Sequence, residues 1–237
     1  MSVRLGVVHF VVVSATDAAQ EILQKHNADL AGRPTVDAWR ANGHIANSMI
    51  ISQADAKWRA LRKLCATELF SPARLNAMRL LRQQMVQELV GHISERAARG
   101  EAFAVHDPAF TASMNTLSRA IFSVDLDSGP AVRDLKDMVK EATVLAMAPN
   151  VSDFFPAIAA ADPQGLRRKM APLVATAYQI MDQQVEQRLR AREAGEPRKN
   201  DMLDVRQEGS VIDRNAIKGL FTDLFVAGVD TSTTTIE

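Results

Sequence analysis

The chain is poor in the residues that would commit it to several kinds of chemistry. Cys65 is the single cysteine in 237 residues. That excludes an internal disulfide, fits a reducing compartment and rules out a zinc site built on two or more thiolates. Neither sign of charge is in excess: Lys+Arg and Asp+Glu are both 28, so no global field draws the chain to nucleic acid or to an anionic membrane. No apolar run approaches the roughly 20 residues that span a bilayer, and the stretch 3–13 is broken by Arg4 and His9. His9, His26, His44, His92 and His106 are scattered, with no H-E-x-x-H pair, and none reads as a metal ligand. A Gly-rich phosphate loop and a nucleophile elbow are also missing.

What is present is 47% hydrophobic residues, enough for a real core. The β-branched run in 3–13 predicts one or two short strands. A signal peptide is the alternative, since Arg4, a short apolar stretch and Val13-Ser14-Ala15 mimic its three regions. Ser14 then predicts a helix N-cap, with Asp17 complementing the dipole and the helix running to about His26. Gly32, Arg33 and Pro34 break the chain, and 34–54 reads as a short helix and a loop. Helices are predicted next over 55–70, then from Ser71-Pro72 to Gly100, where Leu75, Met78, Leu81, Met85, Leu89 and Ile93 recur at helical spacing. Residues 107–122 and 130–147 predict two more. A loop holds Phe154, Phe155 and Pro156, and a long amphipathic helix carries Val174, Tyr178, Met181, Val185 and Leu189 on one face. The polar stretch 194–209 predicts a solvated connection, and Arg188, Arg190, Arg192, Arg198 and Lys199 read as helix surface rather than a nucleic-acid patch. No internal repeat or low-complexity tract appears. The class is mainly α with a small N-terminal β element.

Two helices carry chemical signals. In the last one, Asp213 is a cap and Ile212 with Ile217 a hydrophobic staple. Apolar residues surround most of the helix beyond this cap, which predicts a passage through the middle of a larger body. Ala227 and Gly228 remove bulk, so something flat or bulky can approach the backbone. Thr231 lies one turn on from Ala227, on the face of Leu220 and Leu224, where its hydroxyl can bond back to the Ala227 carbonyl. Asp230, in line with Asp223, makes a carboxylate–hydroxyl pair suited to relaying protons. The run 231–236, five hydroxyl residues and an isoleucine, needs something beyond propensity to stay helical. A core helix with small residues for close packing explains the same pattern equally well. In the helix 55–70, Trp58, Arg62, Cys65 and Leu69 share one face. Arg62, a cation in that stripe, wants a carboxylate or phosphate, and the Trp58 indole donor can share the anion. The plainer reading lays the Arg62 stem over the core with its head in water.

Taken together, these two helices resemble the cytochrome P-450 family. Trp58 to Arg62 is similar to its W-x-x-x-R motif, and 227–232 (AGVDTS) to its [AG]-G-x-[DE]-T-[ST] motif. Residues 64–74 (LCATELFSPAR) and 150–156 (NVSDFFP) resemble plant terpenoid and alkaloid hydroxylases of the geraniol hydroxylase type. The resemblance covers essentially the whole chain. It implies a partial cytochrome P-450 fold, one incomplete domain over 1–237, ending within the long central helix. By the resemblance, Trp58 and Arg62 contact the propionates of a haem, Asp230 and Thr231 deliver protons during oxygen activation, and Ala227 and Gly228 leave room for oxygen. Residues 35–53 match the loop that covers the substrate, and Cys65 an ordinary helix position rather than the iron ligand.

The resemblance further implies a small apolar plant metabolite as substrate and electrons from NADPH through cytochrome P-450 reductase. For complete relatives it implies a place on the cytosolic face of the endoplasmic reticulum membrane. Three departures accompany it. The N-terminal anchor and hinge are not in this chain, which points to a cytoplasmic location for the chain itself. The connection 202–210 is shorter than usual, and the E-x-x-R helix and the loop with the haem-ligating cysteine are absent. The chain alone is therefore expected to be inactive. A non-catalytic truncated product and an unrelated all-α ligand-binding protein are the alternatives.

Overall fold

The computed structural model describes residues 1–124, 130–199, 201–204 and 213–237. Two short strands open the chain: β1 (Ser2–Leu5) pairs antiparallel with β2 (Val8–Val11), Ser2 opposite Val11 and Leu5 opposite Val8. The turn between them needs Gly6. Its φ is +58°, and a Cβ there would lie 2.1 Å from the Phe154 carbonyl oxygen, which also accepts a hydrogen bond from the Val7 amide at 3.0 Å.

Helix α1 (Thr16–Gln20) continues as a π turn (Glu21–Lys25). Its N-cap is Ala15, with no side-chain cap bond, so Ser14 does not take the capping role its type suggests. After the break at Pro34 comes a kinked 3-10 segment (Asp37–Asn47). Helix α2 (Ala56–Leu64), capped by the Asp55 side chain, runs into a second π turn (Cys65–Leu69). Ser71 caps α3 (Pro72–Ala77), with Pro72 in its first turn where a missing N–H costs nothing. The helix predicted through to Gly100 is interrupted at Met78, and α4 (Arg79–Ala98) resumes it.

Next come α5 (His106–Phe122), α6 (Pro130–Met147), the short α7 (Val151–Phe154), a 3-10 turn (Pro156–Ala161), α8 (Leu166–Glu193), a 3-10 turn (Met202–Asp204) and α9 (Arg214–Ile236). The architecture is mainly α with a two-stranded sheet. No helix of the described residues is long and apolar enough to cross a membrane.

The main core joins α2 and its π turn, α5, α6, α8 and α9, with Leu61, Met114, Ile121, Leu220, Phe221 and Val229 among its buried members. Each fully buried Leu or Phe contributes about 1.5–3 kcal/mol over leaving it exposed. A second cluster packs the 3-10 segment (Ala38, Ala41) against Ala142, Leu145, Met170 and Val174.

Helix α8 differs from its sequence pattern at one place. Leu189 faces solvent, 42% exposed, while Arg188 turns inward. There Arg188 meets the Asp201 carboxylate through two bonds, at 2.8 and 2.5 Å, and donates to the Phe122 carbonyl at 3.0 Å. Ser123 Oγ donates to the same carboxylate at 2.7 Å, and Arg74 to the Asp201 carbonyl at 2.8 Å. Arg188 is thus not part of a solvated basic cluster. Asp201 and Met202 are also buried, so the connection after α8 is not wholly solvated. The proposed staple residue Ile212 lies outside the described residues.

Candidate active site

Helix α9 starts from the Asp213 cap, whose Oδ1 accepts from the Ala216 amide at 2.7 Å. That bond holds the Asp213 carboxyl below its ordinary range, with the partial desolvation opposing and Lys57 helping. From Ala216 to Asp223 every residue is buried, Lys218, Thr222 and Asp223 included, in keeping with a helix whose apolar residues surround most of it. Burial then fades along one face: Leu220 is fully buried, Leu224 half-buried, and Ala227 and Thr231 exposed. On that open face Thr231 Oγ1 donates to the Ala227 carbonyl at 2.6 Å. Thr233 and Thr235 repeat the bond one turn back, to Val229 and Thr231. The back-bonds satisfy the hydroxyls but loosen rather than hold the helix, and what anchors this run of poor helix formers is packing, with Thr233 fully buried.

Asp230 is half-buried and has no hydrogen-bond or ion-pair partner among the described residues. Gly228 faces α5, where a Cβ would come 2.9 Å from Leu117 Cδ1, so its smallness serves helix packing. Asp223, two turns before Asp230, belongs to a different setting: it is buried and fully engaged. Ser48 Oγ donates to its two oxygens at 3.0 and 2.9 Å, and the Met49 amide donates at 2.7 Å. His44 Nε2 lies 3.3 Å away, off the line of a hydrogen bond. Its other nitrogen is 3.0 Å from the Tyr178 hydroxyl, whose pKa is pushed up to about 12 by burial and by the Asp223 charge.

On α2 the inward positions are Leu61, Cys65 and Leu69. The π turn rotates side chains by less than 100° per residue, which favours this line over one through Arg62. Arg62 is exposed and has no partner among the described residues, the plainer of the two placements its sequence allows. Trp58 is half-buried, and its Nε1–H is donated to the Met49 carbonyl at 2.9 Å. Cys65 is buried with its Sγ 3.7 Å from the Met49 sulfur. Burial drives its thiol pKa up to about 11 despite the Arg62 charge nearby, and the Asp223 charge adds to the rise. A thiol that stays protonated is a poor metal ligand.

Of the six residues singled out in the sequence, Ala227 and Thr231 are joined directly. Trp58 reaches α9 through Met49, whose amide serves Asp223 and whose carbonyl serves Trp58. Arg62 and Asp230 stand unpartnered among the described residues, and Gly228 faces away toward α5. A groove of about 490 Å³ between α4 and α5 is lined by Met85, His92, Arg96, Phe103 and Asn115 among others, and by none of the six. Sequence reasoning missed His44, Ser48 and Asp223 as a unit, because a buried acid and a serine 175 residues apart, with a histidine beside them, leave no local pattern.

A sequence model of one family, described as Cytochrome P450, matches residues 1–237. Among similar proteins are a geraniol 8-hydroxylase of Catharanthus roseus, 36% identical over 245 residues, and an oryzalexin E synthase of Oryza sativa subsp. japonica, 36% identical over 246. A geranylhydroquinone 3''-hydroxylase of Arnebia euchroma is 34% identical over 247. Each match covers 100% of this chain and 49%, 48% and 50% of the relative in turn, so the chain spans about half the length of the curated relatives it matches.

Proposed function

The chain belongs to the cytochrome P450 family, and from that premise we propose that it carries the proton-delivery face and one propionate contact of a haem-dependent monooxygenase acting on a small apolar plant metabolite. The observation that carries the reading is the Thr231–Ala227 hydrogen bond on the open face of an otherwise buried helix. When bound, the haem supplies the oxygen-activating chemistry, and the protein supplies position and protons.

The residues fit that group in three respects. Arg62 offers an exposed guanidinium with no partner among the described residues, suited to a propionate. Thr231 and Asp230 place a hydroxyl and an unpartnered carboxylate in sequence along one helix, where the acid recharges the hydroxyl and the hydroxyl hands a proton onward. Ala227 keeps the same face free of bulk. Trp58 reaches a propionate only by giving up its bond to Met49.

Relatives named for geraniol and geranylhydroquinone favour an apolar substrate of terpenoid size. Electrons from NADPH through a reductase, and a place on the cytosolic face of the endoplasmic reticulum, complete the proposal for the whole protein. Cys65 is not proposed as its thiolate ligand, because it is enclosed in the core with its Sγ against the Met49 sulfur.

The test uses the propionates themselves. Haemin and its dimethyl ester are titrated into the apoprotein and into Arg62→Ala. The reading expects the ester to bind more weakly than haemin to the parent, by about 1.5–3 kcal/mol for a lost charge-assisted bond, and Arg62→Ala to abolish that preference. An equal preference in parent and variant contradicts it.

A further inference from the structure

The most heavily bonded side chain of α9 is not in the pair Asp230–Thr231. It is Asp223, 4% exposed in the interior. A carboxylate so deep is costly unless its lone pairs are matched. Here they are matched by one short stretch of chain: the Ser48 hydroxyl, the Met49 amide at 2.7 Å and the Ile50 amide at 3.3 Å. Ser48 Oγ in turn accepts from the amides of Ile50 and Ile51, so the turn 48–51 is wrapped around one acid.

The approach is prepared one helical turn earlier. Gly219 lies on the same face as Asp223, and a Cβ there would be 2.2 Å from the Asn47 carbonyl oxygen. Glycine lets the strand of chain 47–50 lie directly on the helix backbone, and the carboxylate then clasps it. Met49 passes the constraint on. Its peptide groups carry two bonds in opposite directions, the amide to Asp223 and the carbonyl receiving the Trp58 indole. The Met49 side chain also packs against the core that holds Leu61 and Cys65.

We propose that Asp223 is a positioning residue: by fixing the turn 48–50 on α9 it sets the Met49 carbonyl, and through it the orientation of the Trp58 indole on α2. It thereby couples the helix that bears Thr231 to the helix that bears Trp58 and Arg62. Its importance for catalysis rests on the reading of those helices as one site, but the link itself needs neither haem nor substrate. Its test can therefore fail while that reading stands.

The measurement is hydrogen exchange of the indole Nε1–H signals in the ¹⁵N-labelled 237-residue chain, with the Trp39 indole as a second signal. Asp223→Asn keeps the shape of the side chain but turns one acceptor into a donor that faces donors. The Trp58 indole should then exchange about tenfold faster or more, the factor expected for losing a charge-assisted bond behind it. Asp182→Asn, in the surface ion network that also joins α8 to α9, should leave Trp58 unchanged, which separates the specific link from a general loosening of α9. If circular dichroism shows Asp223→Asn unfolded, Ser48→Ala, which removes the hydroxyl that donates to the acid and accepts from the Ile50 and Ile51 amides, takes its place with the same expected sense. A folded variant whose Trp58 indole exchanges within about twofold of the parent rate overturns the proposal.

Discussion

Gly219 lies beneath Asn47 so closely that a β-carbon on the glycine would sit 2.2 Å from the asparagine carbonyl oxygen and 2.7 Å from its carbon. Both atoms are backbone and cannot swing aside. Gly219→Ala should therefore destabilise the protein, since overpacking strain of about 1–3 kcal/mol exceeds the roughly 1 kcal/mol that alanine gains over glycine in a helix. Gly91, in α4 with nothing within 4 Å of its would-be Cβ, provides the contrast. Gly91→Ala should raise the urea midpoint while Gly219→Ala lowers it. A rise in both would contradict the close approach.

Arg188 and Asp201, 8% and 3% exposed, form a buried pair that also holds Ser123 and the end of α5. Removing Asp201 takes two charge-assisted bonds from Arg188 and one bond from Ser123. Asp201→Ala should cost about 3–5 kcal/mol of stability, read from denaturant unfolding. A loss within the roughly 0.5 kcal/mol typical of surface substitutions would contradict the burial.

The α9 cap makes a pH-dependent contribution. The Asp213 pKa is lowered in the folded chain, chiefly by the Ala216 amide, below the ordinary 3.8. A depressed acid stabilises the fold fully above its unfolded pKa and loses that contribution as pH falls through the folded value. Asp213→Ala should therefore lower the thermal midpoint at neutral pH, in keeping with a lost cap of about 0.5–2 kcal/mol. The gap to the parent should shrink on acidification below the ordinary carboxylate range. A gap that is constant down to the acid transition would reject the charged cap.

Cys65 should be a slow thiol. Its pKa, raised to about 11 mainly by burial, leaves little thiolate near neutrality, and the group is enclosed. A thiol-reactive chromophore should label the folded chain far more slowly than the chain in denaturant. Equal rates would show Cys65 to be accessible. The raised pKa has the opposite sign from Asp213: its stabilising contribution is present below 9.0, the ordinary thiol value, and is lost as pH rises through the folded value.

Much of this architecture was legible in the residues. Asp55, Ser71, Pro72 and Asp213 mark helix starts because their oxygens, or a missing N–H, suit those positions. The limits 130–147 come from Pro130 and the loop after Met147. The Thr231 back-bond to Ala227 is set by helical spacing alone. Less legible were places where distant residues decide. Leu189 fits an apolar stripe and Arg188 does not, yet Asp201, Ser123 and the Phe122 carbonyl together pull the arginine inside. Arg62 falls near the edge of a stripe whose phase the π turn at Cys65–Leu69 shifts. Asp223 looked like a companion to Asp230 by spacing, but its partners come from 48–50, which no helical period can report.

The central claim is that Thr231 handles a proton at a monooxygenase site, and oxygen coupling reads this most directly. The measurement compares oxygen consumed with product formed, for parent and Thr231→Ala, in a protein that carries these residues together with a haem-ligating cysteine. The account predicts that oxygen consumption persists while product per oxygen falls about tenfold or more, because a positioned proton donor contributes about 10²–10⁴-fold to the step it serves. Thr231→Ser, which keeps the hydroxyl, should retain most of the coupling. A Thr231→Ala protein that forms as much product per oxygen as the parent would contradict the assignment.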